Sequence, residues 1–327
     1  MFVREKVIKA ILDSGENFMS GEQLSKKLGI SRTAVWKHIN ALREEGYNIE
    51  SVNKKGYRLA EKPDDILSSE NIAYNLPTEF IGKKVIHLDT VGSTNDYAKE
   101  IGNKVSGGTL IISEQQTKGK GRLGRVWKSK SGDGIWMSLI IKPKIEPYKA
   151  PFLTLVAGAS VVKALSNLDV EASIKWPNDI IVHNKKICGI LTELSAEMER
   201  VNYVVIGIGI NIKTIDFPDE IKDKATSLYK EGYKLSRVDI VRQFCIEFEK
   251  LYKGYILDGN KQDTLELCRK YSAIIGKQVY VIKNNKRELV KCIDINENGN
   301  LIVKEKNGEI QEIMSGEVSI RGVKGYV

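Results

Sequence analysis

The stretch MSGEQLSKKLGISRTAVWKHINALREEG, residues 19–46, constrains the fold most, because two helix starts and two helix stops are written into it. Ser20 followed by Gln23 is a capping box, in which each side chain satisfies the other residue's backbone N–H. The helix it opens would bury Leu24 and Leu28. Gly29 then stands in the left-handed position that ends a helix. Ser31 can cap a second helix, which carries Val35, Ile39 and Leu42 on one face and stops at Gly46. Upstream, Val7, Ile8, Ile11 and Leu12 recur at helical spacing. Two short helices joined by a tight glycine turn make a helix-turn-helix. YNIESVNKKGYRLA, residues 47–60, follows as two short strands around Asn53–Gly56, the pattern of a wing.

The exposed face of the second helix would show Arg32, Thr33, Lys37 and His38, with Ser31 at its start. Such side chains reach phosphates and base edges in a major groove. Lys54, Lys55 and Arg58 would make the wing basic. Residues 1–62 hold 12 Lys and Arg against 8 Asp and Glu, a local net of +4. A module that contacts only protein is the plainer alternative. The coincidence of turn, basic helix and basic wing favours DNA. EKPDD, residues 61–65, contains Pro63 and marks a linker.

The whole chain has 327 residues, room for two or three domains, and a net charge of +9 that suits a polyanionic partner. No apolar run approaches the roughly 20 residues of a membrane span. Charges interrupt the first apolar residues, unlike a secretory signal. Cys188, Cys245, Cys268 and Cys292 form no C-x-x-C pair. A cytoplasmic protein with reduced thiols fits, and a zinc site does not.

From about residue 80, strands and helices alternate. KKVIHLDTV, GGTLIISEQ, GIWMSLII, ICGILTEL and YVVIGIGINI read as strands, and APFLTLVAGASVVKALSNL is apolar at helical spacing. RVDIVRQFCIEFEKLYKGYI is a further helix, expected to pack on the central sheet. The last fifty residues hold about five short strands with turns at NNKR, NENGN and KNGE, which suggests a small β-barrel. The expected fold is multidomain α+β: a winged helix-turn-helix at 1–62, a mixed-sheet α/β domain at 63–270 and a small β domain at 271–327.

Several polar clusters stand at strand ends. EQQTKGKGRLGRVW, residues 114–127, mixes Lys118, Lys120, Arg122 and Arg125 with three glycines. Glycines admit close backbone approach, and the cations suit carboxylate or phosphate. It is not a Walker A loop, because Lys120 is followed by Gly121. In GSTND, residues 92–96, Ser93 or Thr94 is an ordinary N-cap, though a helix N-terminus with spare hydroxyls also binds polar ligands. KWPND, residues 175–179, projects Asn178 and Asp179 from a turn pinned by Pro177. Asp179 among cations suits Mg²⁺ held against phosphates, and a plain turn is the bland alternative. In NKKICGILTEL, Lys186 sits just before a buried strand. GIGIN, residues 207–211, lacks the third glycine of a dinucleotide fingerprint and fits a buried strand better.

The order of these motifs behind a winged helix resembles the bifunctional biotin protein ligase and biotin operon repressor family, over essentially the whole chain. The resemblance implies that Ser93, Thr94, Asn95 and Gln116 line a biotin pocket. Lys120, Gly121 and Arg122 would close over biotin and its adenylate. Lys186 would touch the reacting carboxylate and the α-phosphate, with Arg122 as its catalytic companion. Arg125, Asn178, Asp179 and Asn211 would lie towards ATP, and Asp179 towards Mg²⁺. The C-terminal domain would be SH3-like. One departure is Lys120, where the family often has Arg, so charge is kept and the bidentate fork is lost. The implied partners are a biotin carboxyl carrier protein, operator DNA and a second copy of the chain when ligand is bound. A repressor that senses ligand without catalysis is the alternative. A ligase for lipoate or another acyl acid is a third reading, disfavoured by the intact KGKGRLGR loop.

Overall fold

The structure is a computed structural model and describes residues 3–61, 65–283, 286–314, 319–323 and 325–327. It begins with three helices, α1 (Val3–Asp13), α2 (Gly21–Leu28) and α3 (Arg32–Glu44), and a hairpin of β1 (Ile49–Val52) and β2 (Gly56–Leu59). The caps form as the residues dictate. The Ser20 Oγ accepts from the Gln23 N–H and the Gln23 side chain accepts from the Ser20 N–H. Gly29 takes φ +66° and Ser31 accepts from the Ala34 N–H. Such an N-cap contributes about 1 kcal/mol. Val7, Ile8, Ile11, Leu24, Val35, Ile39, Leu42 and Ile49 close a small core of their own. Arg58 departs from the expected basic wing: it is ion-paired with Glu50 at 2.7 Å and lies over the Phe18 ring. Lys54 and Lys55 remain exposed at the tip.

Pro63 of the expected linker lies outside the described residues. Immediately after it the chain is firmly attached. Asp65 receives Arg237, whose guanidinium also reaches Glu114 at 2.7 Å, and Lys213 at 2.5 Å. Ile66 and Tyr74 pack on the winged-helix core. Leu67 and Ile72, the latter in α4 (Ser69–Ala73), enter the large central core instead. Residues 65–74 therefore join the two cores.

The central sheet has seven strands. They are β3 (Val85–Val91), β4 (Thr109–Gln116) and β5 (Gly134–Ile141), then β6 (Ser173–Lys175), β7 (Asp179–Val182), β8 (Lys185–Ala196) and β9 (Val201–Asn211). Their order is β3-β4-β5-β9-β8-β7-β6, with β3 and β4 parallel and the other neighbours antiparallel. One face carries α5 (Thr94–Ile101) over Ile111, Ile140 and Val205. The opposite face, with Ile112, Met137, Leu139, Ile206 and Ile208, belongs to the main core with α6 (Phe152–Ser166). The segment Pro147–Ser166 is long and apolar enough for a membrane span, but 72% of that window is buried inside the fold, so it is a core helix. The helix α7 (Arg237–Leu257), expected to pack on the central sheet, meets it at β5 and lies chiefly along α6. The short β6, β7, α4 and α8 (Gln262–Lys270) were not legible as elements, being too brief for periodicity or too polar.

The C-terminal strands are β10 (Gln278–Lys283), β11 (Lys286–Ile295), β12 (Leu301–Lys304), β13 (Ile310–Ile313) and β14 (Ser319–Gly322). Five strands were expected, and an SH3-like barrel with them. The sheet, ordered β13-β12-β11-β10-β14, is instead open, and its edges do not pair among the described residues. The residues of β13 are mostly exposed, so closing that edge would bury little apolar surface. The turn after β11 docks this sheet on the central domain: the Trp176 indole donates to the Gly299 carbonyl at 3.0 Å.

Candidate active site

Sheet register builds the site before any loop is added. Ser113, Trp136, Gly209, Gly189, Asp179 and Lys175 are direct partners from strand to strand, so their Cβ directions share one face. Gly209 and Gly189 leave a shallow bed in that row. The Trp127 indole lies in it: a Cβ on Gly209 would come within 2.6 Å of its Nε1, and one on Gly189 within 2.9 Å of its ring. That Nε1 is buried and has no hydrogen-bond partner among the described residues. An orphaned donor facing a cavity is suited to a ligand acceptor.

Two residues along, the next row holds Ser138 and Gly207. Here α5 delivers the GSTND cluster. Ser93 is the N-cap that the sequence suggests, accepting from the Asp96 N–H. Ser93, Thr94 and Asn95 are all buried. The Thr94 N–H and hydroxyl donate to Gln116 Oε1, and Gln116 Nε2 donates to Ser129. The Ser138 hydroxyl lies 2.8 Å from Thr94 Oγ1 and 2.5 Å from Asn95 Oδ1. Asn95 Nδ2 donates to Glu193, and a Cβ on Gly207 would sit 2.2 Å from Asn95 Oδ1. Ser93, Thr94, Asn95 and Gln116 line a cavity of about 50 Å³, together with Lys120, Gly121, Arg122 and Lys186. That is room for a water or two. A larger ligand must displace side chains and exchange its own polar groups for these internal bonds.

The basic loop is folded down on this pocket. Gly121 N–H donates to the Arg125 carbonyl at 2.7 Å and Trp127 N–H to the Gly119 carbonyl at 2.9 Å. Lys120 is ion-paired with Asp96 at 2.7 Å. Burial would raise the Asp96 carboxyl, but Lys120 and Lys99 hold it below its usual range. Arg122 donates to Asn178 Oδ1 at 2.8 Å, and burial pulls its guanidinium down from the ordinary value.

KWPND forms the tight connection from β6 to β7, so Lys175 closes one strand and Asp179 opens the next. His183 and Asn184, both at positive φ, turn the chain into β8 and place Lys186 back over Asp179. The ammonium stands 2.5 Å from Asp179 Oδ1 and 5.2 Å from the centre of the Trp127 ring. The Tyr326 hydroxyl donates to the other oxygen. Burial favours a neutral Asp179, but Lys186, Tyr326 and Lys175 outweigh it and keep the carboxyl below the usual range. Of the carboxylate expected to hold Mg²⁺, Oδ2 is therefore hydrogen-bonded and Oδ1 is ion-paired, without a hydrogen bond of its own among the described residues. No group of three His, Cys, Asp or Glu suited to a metal occurs among the described residues. Burial pushes Lys175 down to about 7.

Beyond Lys186 the floor opens into a cleft of about 660 Å³, lined by Arg122, Arg125, Asn178, Asp179 and Asn211 and by Phe217 and Ile221 of the following loop. Lys186, Arg122, Gly121, Trp127 and Asn178 line both spaces, so the small pocket and the cleft are continuous chemistry. The structure thus brings together every residue expected at the small-acid and nucleotide positions. Sequence reasoning missed Trp127, Ser138, Glu193, Lys175 and Tyr326. Trp127 closes the quoted loop and Lys175 opens the quoted KWPND, so these two could have been found. The cysteines take no part: all four are buried, and burial pushes Cys245, Cys268 and Cys292 up to about 12.

On the winged helix, Ser31, Arg32, Thr33 and Lys37 lie exposed along α3, and His38 is half-buried. Trp36, 54% exposed, stands among them.

Comparison with known proteins assigns the three parts separately. Residues 88–211 match the Biotin/lipoate A/B protein ligase family, residues 3–58 an HTH domain and residues 274–321 the Biotin protein ligase C terminal domain. The Bifunctional ligase/repressor BirA of Bacillus subtilis is 42% identical over 97% of this chain and 98% of its own length. That of Escherichia coli is 31% identical over 96% of each. Among solved structures, the biotin protein ligase from Aquifex aeolicus in complex with biotin and ATP is 32% identical. It aligns with 73% of this chain and 99% of its own, at a TM-score of 0.65.

Proposed function

The chain belongs to the bifunctional biotin ligase and repressor family, and on that premise we propose how its cleft carries out the chemistry. It is an ATP-dependent biotin protein ligase and a DNA-binding repressor. Biotin enters the pocket of Ser93, Thr94, Asn95 and Gln116, with Trp127 along it. ATP occupies the cleft of Arg125, Asn178, Asp179 and Asn211. A biotin carboxylate oxygen attacks the α-phosphorus, and the bond to pyrophosphate breaks. Negative charge accumulates where two anions meet, and Lys186 and Arg122 neutralise it. The folded loop, with Lys120 and Gly121, excludes water from the mixed anhydride. The ε-amine of a lysine on a carboxyl carrier protein then attacks the carbonyl and AMP leaves. The observation that carries this reading is the convergence of Lys186 and Arg122 on the passage between the small pocket and the large cleft.

Mg²⁺ supplies charge neutralisation to the phosphates when bound. Asp179, already ion-paired with Lys186, is the residue that would offer it a carboxylate. The division proposed for the chain, 1–62, 63–270 and 271–327, gives DNA contact to the first part. There Ser31, Arg32, Thr33, Lys37 and His38 address the major groove, and Lys54 and Lys55 the phosphates. Two copies joined by adenylate binding would present two winged helices to two half-sites. The linkage of Asp65 through Arg237 to Glu114, two residues from Gln116, offers a physical route for that coupling.

The enzyme assignment is tested by incubation with labelled biotin, ATP, Mg²⁺ and a carboxyl carrier domain. Label on the carrier lysine is expected, and folded protein that leaves the carrier unlabelled would reject it. Sedimentation and operator binding, each with and without biotin and ATP, test the coupling. Indifference to ligand in both would remove it.

A further inference from the structure

The central sheet supplies the charge-neutralising Lys186, but a residue from beyond the C-terminal sheet holds its counter-ion. After β14 the chain folds back so closely that a Cβ on Gly322 would lie 2.4 Å from the Val327 carbonyl carbon. That return carries Tyr326 across to β6 and β7, where it is 8% exposed. The phenol donates to Asp179 Oδ2 while Lys186 takes Oδ1. The Tyr326 carbonyl accepts from Lys175 Nζ at 2.6 Å, and the same ammonium lies 3.4 Å from the ring centre. One side chain therefore meets both charged residues of KWPND.

We propose that Tyr326 is a positioning residue for adenylate formation, acting through Asp179 on Lys186. The proposal rests on the function assigned above. A carboxylate with one fixed partner can rotate and offer either oxygen. With Oδ2 held by the phenol, Oδ1 is fixed, and so is the ammonium bound to it. Lys186 has to face the junction of two anions, and about 1 Å of misplacement there costs as much as a hundredfold in rate. Tyr326 is suited to the task because its ring is buried and its hydroxyl is aimed at Asp179 Oδ2. The C-terminal sheet thereby contributes to the active site without itself bearing a reacting group.

The test uses biotin-dependent exchange of pyrophosphate into ATP, biotin affinity measured without nucleotide, and the thermal midpoint. Tyr326→Phe keeps the ring over Lys175 and removes only the hydroxyl. It is expected to lower kcat about tenfold, with biotin affinity, KM for ATP and the midpoint unchanged. Asp179→Asn is expected to lose more, and the double variant no more than Asp179→Asn alone, because Tyr326 acts through that carboxylate. Tyr326→Phe with wild-type kcat, additive losses in the double variant, or a loss matched by falling biotin affinity and midpoint would each overturn the proposal. A wild-type chain that catalyses no exchange would remove the functional assignment itself and the proposal with it.

Discussion

The winged helix draws Leu24, Val35, Ile39 and Leu42 from within a 19-residue stretch, each placed by a cap or a glycine stop. The catalytic cleft draws its parts from residues 93 to 326, and Asp179 meets a phenol 147 residues away. The first region is held by local signals and a small core. The second is held by strand register, which no neighbouring residue announces. The difference predicts separable failures, because the two regions have separate cores, joined by residues 65–74.

The largest expected effect lies in the cleft. Lys186→Ala should lower kcat/KM for adenylate formation by on the order of 10²- to 10³-fold, while ligand-independent DNA binding stays as it was. Pyrophosphate exchange and a gel-shift titration on the same preparation measure both. A matching loss of DNA binding would break the separation drawn here.

Next comes the winged-helix core. Ile39→Ala leaves a cavity among fully buried neighbours and should destabilise that module by about 2–5 kcal/mol. Operator binding should vanish and ligase activity persist. If adenylation falls in parallel, the segment 65–74 transmits more than attachment, and the comparison must be redrawn around Asp65 and Arg237.

The last effect is read as a slope with pH and concerns a charge that tertiary structure alone suppresses. Burial, opposed by Asp179 and aided by Arg321, Lys186 and Arg125, pushes Lys175 down to about 7. Between that value and the free-lysine value of 10.5, the unfolded chain holds a proton here that the folded chain does not. Stability should therefore rise with pH through this window, by up to about 1.4 kcal/mol per unit. Urea midpoints measured across the window should climb in the wild type and stay flatter in Lys175→Met. Equal slopes would show that Lys175 keeps its proton on folding.

Much of the site was legible because its residues stand in short motifs at strand ends. Ser93, Gln116, Arg122, Asn178 and Lys186 were each visible, and the sheet gathers them. Gly209 and Gly189 were not read as a bed for Trp127, because the row they form exists only once β8 and β9 pair in register. Ser138 and Glu193 looked like ordinary strand residues until α5 placed Asn95 between them. Arg58 looked like a wing cation until the hairpin set it opposite Glu50. The expected barrel was a count of strands, and strand number does not decide closure when the edge strand has little to bury.

By itself the chain determined where helices begin and stop, which runs become strands and which motifs carry charge, since caps, periodicity and glycine stops act over a few residues. Tertiary structure decided which of those charges meet. Register aligned Asp179 with Gly189 and Gly209, and the return after β14 brought Tyr326 to Asp179. Such contacts are fixed by the burial of a shared core across long loops, a cooperative outcome that no local stretch of residues encodes.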